Sequence, residues 1–590
     1  MKPIYIIFLL ILLLWNSSIT AQQKQWQWIK QGGASSTTDN TIDPEEVYDI
    51  ATDSDRNVYV VSPISYLNPQ IDGHQKNYYG GGNDVQNDYA LASFACDGSY
   101  RWSKIIGGRG YEPAPYIETD NNNNLYMAGS SYRCDGQNYP FRIENDTILF
   151  NNTNQDCSLG YITKFDKNGT MLWFEQPMDR DSSSTLGGGA TEFGSVGMTI
   201  DKSSEELHWL VSIPSGSYDN GNYVNTRPGN TYHILKYDSN GNFLGGTYLD
   251  MQLTGYAWSS LKMYRNPYNG HYYFTGRRSA NGSQPSSDTI GGQQVSGSFY
   301  LSSFDAQGNF QWLRQNTTSF QGLGSTIYGL DFDNENNIYM GGVFLGYGYD
   351  TFLGQTISEQ IAPSFVMKTN PDATQVDWFS YNDYGSGWSR GDIQLKGNTL
   401  YLTDQGATQV NWGNQTVNIN NSGEGTEILL ATFDKTTGDC TGLDFIAGNN
   451  GHPDRGSALV IDANGDVLIG GQFEHILNDS NGGQVMNPNP SNTNFFIAKY
   501  ATEPCPELGT STWKTQSIKL WPNPANRSIH VSVLSPSRYR MYTITGQRVK
   551  QGKLNTGKNS IDIEKLPSGL YLIETTNQQG NKQVKKIVKE

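Results

Sequence analysis

The chain has 590 residues, is only 17% charged, and is rich in Gly (65) and Tyr (36). That profile fits a turn-rich all-β protein and excludes a helical one. Its formal net charge of −16 argues against nucleic acid and anionic membrane surfaces as partners.

Met1-Lys2 is followed by an apolar run from Ile4 to Trp15 and then by Ile19-Thr20-Ala21. This reads as a secretory signal peptide cut between Ala21 and Gln22. The run is short for a transmembrane helix, and no later segment approaches the necessary length, so no transmembrane segment is expected in the mature chain. No Cys follows the run, which argues against a lipoprotein.

From residue 25 to about residue 501 the chain repeats itself. One phrase is an apolar strand, an Asp/Asn/Gly turn, and a second strand with Tyr near its middle. Ile50–Val60, Ile117–Gly129, Leu330–Gly342 and Val460–Gly471 are clear copies. The second phrase is an apolar strand, aromatic-Asp-x-x-Gly, and a strand often holding Trp, as in Ile162–Trp173. Its anchors are Phe94, Phe165, Tyr237, Phe304, Thr369, Phe433 and Tyr500, with gaps of 71, 72, 67, 65, 64 and 67 residues. Seven four-strand copies predict a seven-bladed β-propeller. The seventh copy has no fourth strand, whereas Gln25–Gly33 resembles the fourth strand of the first copy, Tyr100–Gly108. The N-terminal strand is therefore expected to complete the last blade and remove two open edges. Trp28, Trp102, Trp173, Trp312 and Trp378 are expected to pack between blades.

The connections between second and third strands are long and dissimilar, so a ligand site is expected on their face. Some should hold an extra short strand, such as Gln415–Ile419. Candidate ligand-binding aromatics there and on the same side are Tyr78, Tyr79, Tyr111, Tyr132, Tyr256, Trp258, Tyr347, Tyr349 and Trp388. Rigid aromatics beside amides suit glycans and protein partners; the plainer reading is that they cover small loop cores. No catalytic constellation, phosphate loop or metal-ligand spacing stands out, so no catalytic residue, metal or cofactor is assigned. Asp53–Asn57 and Asp462–Asp466 have calcium-like oxygen spacing, but both fall in hairpin turns that favour Asp and Asn anyway. Of five Cys, Cys134 and Cys157 are the expected disulfide; Cys440 with Cys505 is a further option that leaves Cys96 over.

The last segment differs in charge. From residue 510 onward there are 14 basic and 4 acidic residues, net +10, whereas residues 22–509 carry 26 basic and 53 acidic, net −27. Seven short β-type runs between Ile518 and Val588, separated by Pro and Gly, predict a small Ig-like β-sandwich. Its motifs are Pro522-Asn523-Pro524, Thr545-Gly546-Gln547, Leu566-Pro567-Ser568-Gly569-Leu570-Tyr571, and a basic end with Lys585 and Lys586. In this order they resemble the type A C-terminal sorting domain of the bacterial type IX secretion system (Bacteroidota type). The resemblance implies Sec export to the periplasm and then type IX secretion. It also implies contact with that machinery and its sortase, and release or attachment to surface lipopolysaccharide. The body resembles secreted and outer-membrane β-propeller-repeat proteins that carry such tails. Its D-x-x-G-x-x-x-W phrase also looks like the tryptophan-docking repeat of quinoprotein propellers, whose cofactor ligands have no counterpart here.

The expected plan is a signal peptide at 1–21, a propeller at 22–503, a linker at 504–516 and a sorting domain at 517–590. The expected function is a secreted or surface-attached, non-catalytic glycan- or protein-binding module of adhesion type. The alternative is a glycan-active hydrolase or lyase on the same scaffold.

Overall fold

The computed structural model describes residues 24–505 and 519–590, except 36–43, 81–87, 109–112, 133–140, 145, 148–157, 178–192, 254–260, 278–287, 318–324, 345–349, 358–362, 384–390, 407–408, 419–424, 449–452, 488–491, 534, 545 and 578–581. The chain divides into two compact units, residues 1–504 and 505–590. Among the described residues every regular element is a strand, and no helix is long and apolar enough to cross a membrane.

The first unit has a β-propeller architecture built from consecutive four-stranded antiparallel sheets. Their first strands are Asp49–Thr52, Tyr116–Thr119, Gly194–Asp201, Lys262–Arg265, Thr326–Phe332, Asp392–Lys396 and Arg455–Ile461. We number the repeats 1 to 7 in that order. In each, the second and third strands are almost wholly buried, because side chains on both of their faces meet a neighbouring repeat. Repeat 7 consists of Arg455–Ile461, Val467–Phe473, Asn494–Ala501 and, as outer strand, Gln25–Gly33. Trp26 pairs with Tyr500, Trp28 with Lys499, Ile29 with Ala498 and Lys30 with Ile497.

The outer-strand Trp rings dock onto the next repeat. Trp28 lies on Gly98, Trp102 on Gly169, Trp173 on Gly241 and Trp378 on Gly438. Their Nε1 atoms donate to Cys96 O, Lys167 O, Ser239 O and Lys435 O at 3.0–3.2 Å. The glycine of each turn thus serves two needs. Gly98 has φ +83°, and a Cβ there would stand 2.7 Å from the Trp28 ring. Trp312 follows a variant, with Arg314 donating to Asp372 O and Ala373 O of the next turn.

The long connections are not loose. In each repeat the one after the second strand carries a short hairpin, bonded to the outer strand of the preceding repeat or to the residues just after it. Each hairpin buries one large side chain: Ile71, Ile143, Tyr218, Ile290, Phe352, Trp412 or Leu477. Tight two-residue turns follow several of them, at Asp72-Gly73, Gly291-Gly292 and Leu353-Gly354, with both φ values positive. Gln415–Asn418 is one such strand, within the expected extra strand at Gln415–Ile419.

The second unit has seven described strands in two sheets. One holds Lys519–Trp521, Ser528–Val533 and Gly557–Asp562; the other runs Arg548–Leu554, Ser537–Thr543, Gly569–Asn577, Lys582–Lys589. Ile529, Val531, Met541, Ile573 and Ile587 form its core with no solvent exposure.

Candidate functional site

The first strands of repeats 1 to 7 lie side by side in order, and that of repeat 7 also contacts that of repeat 1. Each has an edge that its own second strand does not pair, so its backbone amides need other acceptors. Two register positions supply them. One holds Asp49, Tyr116, Gly197, Lys262, Gly329, Asp392 and Ala458; the other holds Ala51, Glu118, Thr199, Tyr264, Asp331, Gln394 and Val460. The second set stands opposite Tyr59, Tyr126, His208, Tyr273, Tyr339, Tyr401 and Leu468, which are the recurrent mid-strand residues of the sequence phrase.

The acids of this inner row reach across to the next repeat. Asp49 Oδ2 accepts Ile117 N at 2.8 Å, Glu118 Oε2 accepts Ile200 N at 2.8 Å, Asp331 Oδ2 accepts Leu395 N at 2.7 Å, and Asp392 Oδ2 accepts Leu459 N at 3.1 Å. The other oxygens of the three aspartates accept the amides of Ile50, Phe332 and Ile393 at 2.8–2.9 Å. Lys262 Nζ donates to Tyr328 O at 2.8 Å, and Ser457 Oγ donates to Val47 O at 2.8 Å. These carboxyls are deep yet only partly covered. Burial pushes Asp49 up to about 7, with Asp392 and Glu118 adding to the rise, and pushes Asp331 and Asp392 up to about 6. Sequence reading missed this row because an Asp or Glu in a short first strand looks like any polar edge residue. The signal was the Asp-apolar pair at Asp49-Ile50, Asp331-Phe332 and Asp392-Ile393.

A second polar cluster joins repeat 1 to repeat 7. The Arg56 side chain meets Asp462 at 2.9 Å and also pairs with Asp466; buried Lys499 reaches both at 3.1 Å and Cys96 Sγ at 3.1 Å. The calcium-like spacing at Asp53–Asn57 and Asp462–Asp466 is thereby accounted for. Asp53 accepts Asn57 N, Asn57 Nδ2 and the Tyr59 hydroxyl, and Asp462 is held by the two cations. Among the described residues no group of His, Cys, Asp and Glu is arranged to hold a metal ion. His208 and His233 are core residues bonded to Tyr272 and Tyr223, and burial pushes them down to about 3 and about 4.

The cysteines differ from the expected options. Cys96 is disulfide-bonded, not left over; Cys505 is disulfide-bonded but not to Cys440, which is a free buried thiol that burial raises to about 11. Cys440 lies on an outer strand and Cys96 in the turn beneath Trp28, a difference that spacing alone does not reveal. Cys134 and Cys157 lie outside the described residues, as do Ala21 and Gln22.

Of the candidate aromatics, Tyr111, Tyr256, Trp258, Tyr347, Tyr349 and Trp388 lie outside the described residues, and Tyr132 is described only as part of the strand Leu125–Tyr132. Tyr78 is half-buried, 6.0 Å from the Tyr66 ring. Tyr79 packs on the core beneath the Arg142 guanidinium, 5.7 Å from its ring centre, and burial raises its hydroxyl above the ordinary tyrosine range.

In the second unit two distant motifs meet. Asn523 of the Pro-Asn-Pro motif accepts Val588 N at 2.7 Å and donates to Lys586 O at 2.8 Å, so one side chain covers part of the last strand's edge. Ala525 N continues the contact to Val588 O at 2.9 Å. The Tyr571 hydroxyl donates to Pro567 O at 2.8 Å, closing the Leu-Pro-Ser-Gly-Leu-Tyr turn on itself. Gly546, φ +84°, completes a tight turn by donating to Thr543 O at 3.0 Å. Leu566 packs on the core, while Lys585 and Lys586 are exposed.

Residues 519–590 match the family described as "Secretion system C-terminal sorting domain". The second unit is a type IX sorting domain. The protein is therefore exported through the type IX system to the cell surface or the medium. No curated protein matches the chain. Among solved structures it is similar to the Dos1 propeller at 8% identity, over 80% of this chain and 96% of that one, with a TM-score of 0.35. Two structures of the extracellular domain of BT4673 from B. thetaiotaomicron match at 11% and 12% identity, over 95% of this chain and 99% of theirs, each with a TM-score of 0.16.

Proposed function

We propose that the chain is a seven-bladed propeller closed by its N-terminal strand, exported by its sorting domain, and that it works as a non-catalytic binding module for a glycan or a protein. The pairing of Gln25–Gly33 with Asn494–Ala501 and the contact of the first strands of repeats 7 and 1 support the closed ring. The apolar run before Ala21 supports a signal peptide, and the composition break near residue 510 supports a linker ahead of a sorting domain at 517–590. One observation carries the non-catalytic reading. Asp49, Asp331 and Asp392 converge near the axis, yet both oxygens of each accept backbone amides. Those amides engage each carboxylate in joining the edges of neighbouring strands, a structural duty that supports the non-catalytic reading. Recognition then falls to the rim of the strapped connections, where Tyr66 and Tyr78 stand together.

The test is a glycan and protein-partner array probed with the purified full chain, beside the Y66A/Y78A double variant. Binding by the wild type that weakens in the variant fits the proposal. Turnover of any glycan without array binding would sink it. Deleting residues 517–590 should leave the chain in the periplasm, and normal surface delivery of the truncated chain would overturn the export role.

A further inference from the structure

The four-stranded sheet of the sorting domain alternates, interrupted by a β-bulge between Met541 and Tyr542. Tyr539, Met541, Tyr571, Ile573 and Ile587 point into the core, and the residues between them point out. On the outward face, directly paired residues stand side by side: Tyr542 with Arg548 and Leu572, Arg540 with Glu574, Arg538 with Lys553, Leu572 with Lys586, and Leu570 with Val588. Arg538, Arg540, Arg548, Lys553 and Lys586 are all exposed. Glu574 is the one carboxylate among the described side chains of that face, and it lies 3.8 Å from Arg540. Between the cations runs an apolar strip of Tyr542, Leu570, Leu572 and Val588, the last two exposed at 36% and 37%. The opposite sheet shows no such bias: its described outward side chains include one lysine, Lys558, and one aspartate, Asp562.

We propose that this outward face is the docking surface of the export signal, and that its partner is an acidic protein surface with an apolar centre. This rests on the type IX reading of the domain. A small soluble domain gains nothing for its own fold by leaving Leu572 and Val588 in water beside five cations. An apolar centre ringed by one sign of charge is the plan of a protein interface, with the cations steering encounter and rejecting like-charged surfaces. Beside this face the turn between Thr543 and Gln547 carries one exposed apolar side chain, Ile544 at 68%, too little apolar surface to anchor the domain in a bilayer, which favours a protein over a lipid surface. Asn523 acts as a positioning residue, since it holds the strand that carries Lys586 and Val588.

The test uses the full chain in a type IX-competent cell. The variant R540E/R548E/K586E reverses the face, R540Q/R548Q/K586Q only neutralises it, and K558E changes the opposite sheet. The readout is the ratio of surface-plus-medium protein to periplasmic protein, alongside the melting temperature of each purified chain. The reversed face should lower the ratio by at least about tenfold, the neutralised face by less, and K558E should match the wild type. If the reversed variant melts early, the neutralised one decides, with L572S as its partner. Wild-type export of a folded face variant, while deletion of 517–590 blocks export, would overturn the docking face and leave the export role standing. Binding of the chain to phosphatidylglycerol vesicles that is lost in the reversed variant would make the occupant a lipid and also overturn it.

Discussion

Trp28 and Gly98 offer a direct measure of how the N-terminal strand is held. Trp28 is 8% exposed, its ring covers Gly98, and its Nε1 donates to Cys96 O at 3.1 Å. Trp28→Ala should cost about 3–5 kcal/mol for the vacated volume, plus about 1–3 kcal/mol for a carbonyl left without its donor. Gly98→Ala meets two penalties. The position has φ +83°, worth about 1–2 kcal/mol against a side chain. The new Cβ would also stand 2.7 Å from the indole, worth about 1–3 kcal/mol of overpacking. Only the second penalty depends on Trp28. In the double variant it vanishes, so the combined loss should fall short of the sum by about 1–3 kcal/mol. Urea unfolding of the four purified chains measures the cycle. Losses that simply add within about 0.5 kcal/mol would show that the indole does not rest on this turn, and would refute the docking of the first strand on repeat 1.

The remaining predictions concern pH and the sorting domain. Burial raises Glu45 and Asp88 to about 8, Asp49 and Glu427 to about 7, and Asp331, Asp392 and Asp404 to about 6. Each folded value lies above the unfolded carboxylate value of about 4, so the stability they confer is complete below pH ~4 and is lost as pH climbs through 6 to 8. The first unit should therefore melt higher at pH 5 than at pH 8.5; equal or reversed melting temperatures would contradict the buried carboxyls. Asp201 runs the other way: although burial opposes it, hydrogen bonds from Ser203 and the Arg265 charge bring it down to about 2, so its contribution fades as pH falls from ~4 toward 2. Asn523→Ala removes two edge hydrogen bonds and should cost the sorting domain about 1–3 kcal/mol, with faster amide exchange at Val588; unchanged exchange there would dismiss the edge-covering role.

Much of the architecture could be read from the chain alone, since strand periodicity and turn chemistry are local. The mid-strand tyrosines, the Asp-x-x-Gly turns and the seven runs of the tail each record which face is buried and where the chain must bend. The kinship of Gln25–Gly33 with Tyr100–Gly107 reflects the same local rule: an outer strand needs the same Trp and the same exit whichever repeat it serves. The long connections were less legible. Their hairpins are two to four residues a side, too short for a clear period, and their anchors range from Ile71 to Trp412 because each fills a differently shaped gap.

What tertiary structure alone decided is which residues from distant stretches share a place. Nothing near Asp49 in sequence announces the Ile117 amide, because that need arises only when two strand edges come together. The Asn523 bridge to Lys586 and Val588 follows the same logic, joining points the fold brings within hydrogen-bond reach. Composition marks the tail as basic, but the alternation of a pleated sheet puts Arg538, Arg540, Arg548, Lys553 and Lys586 on one side of it, and charge becomes a surface only when strands are laid in register.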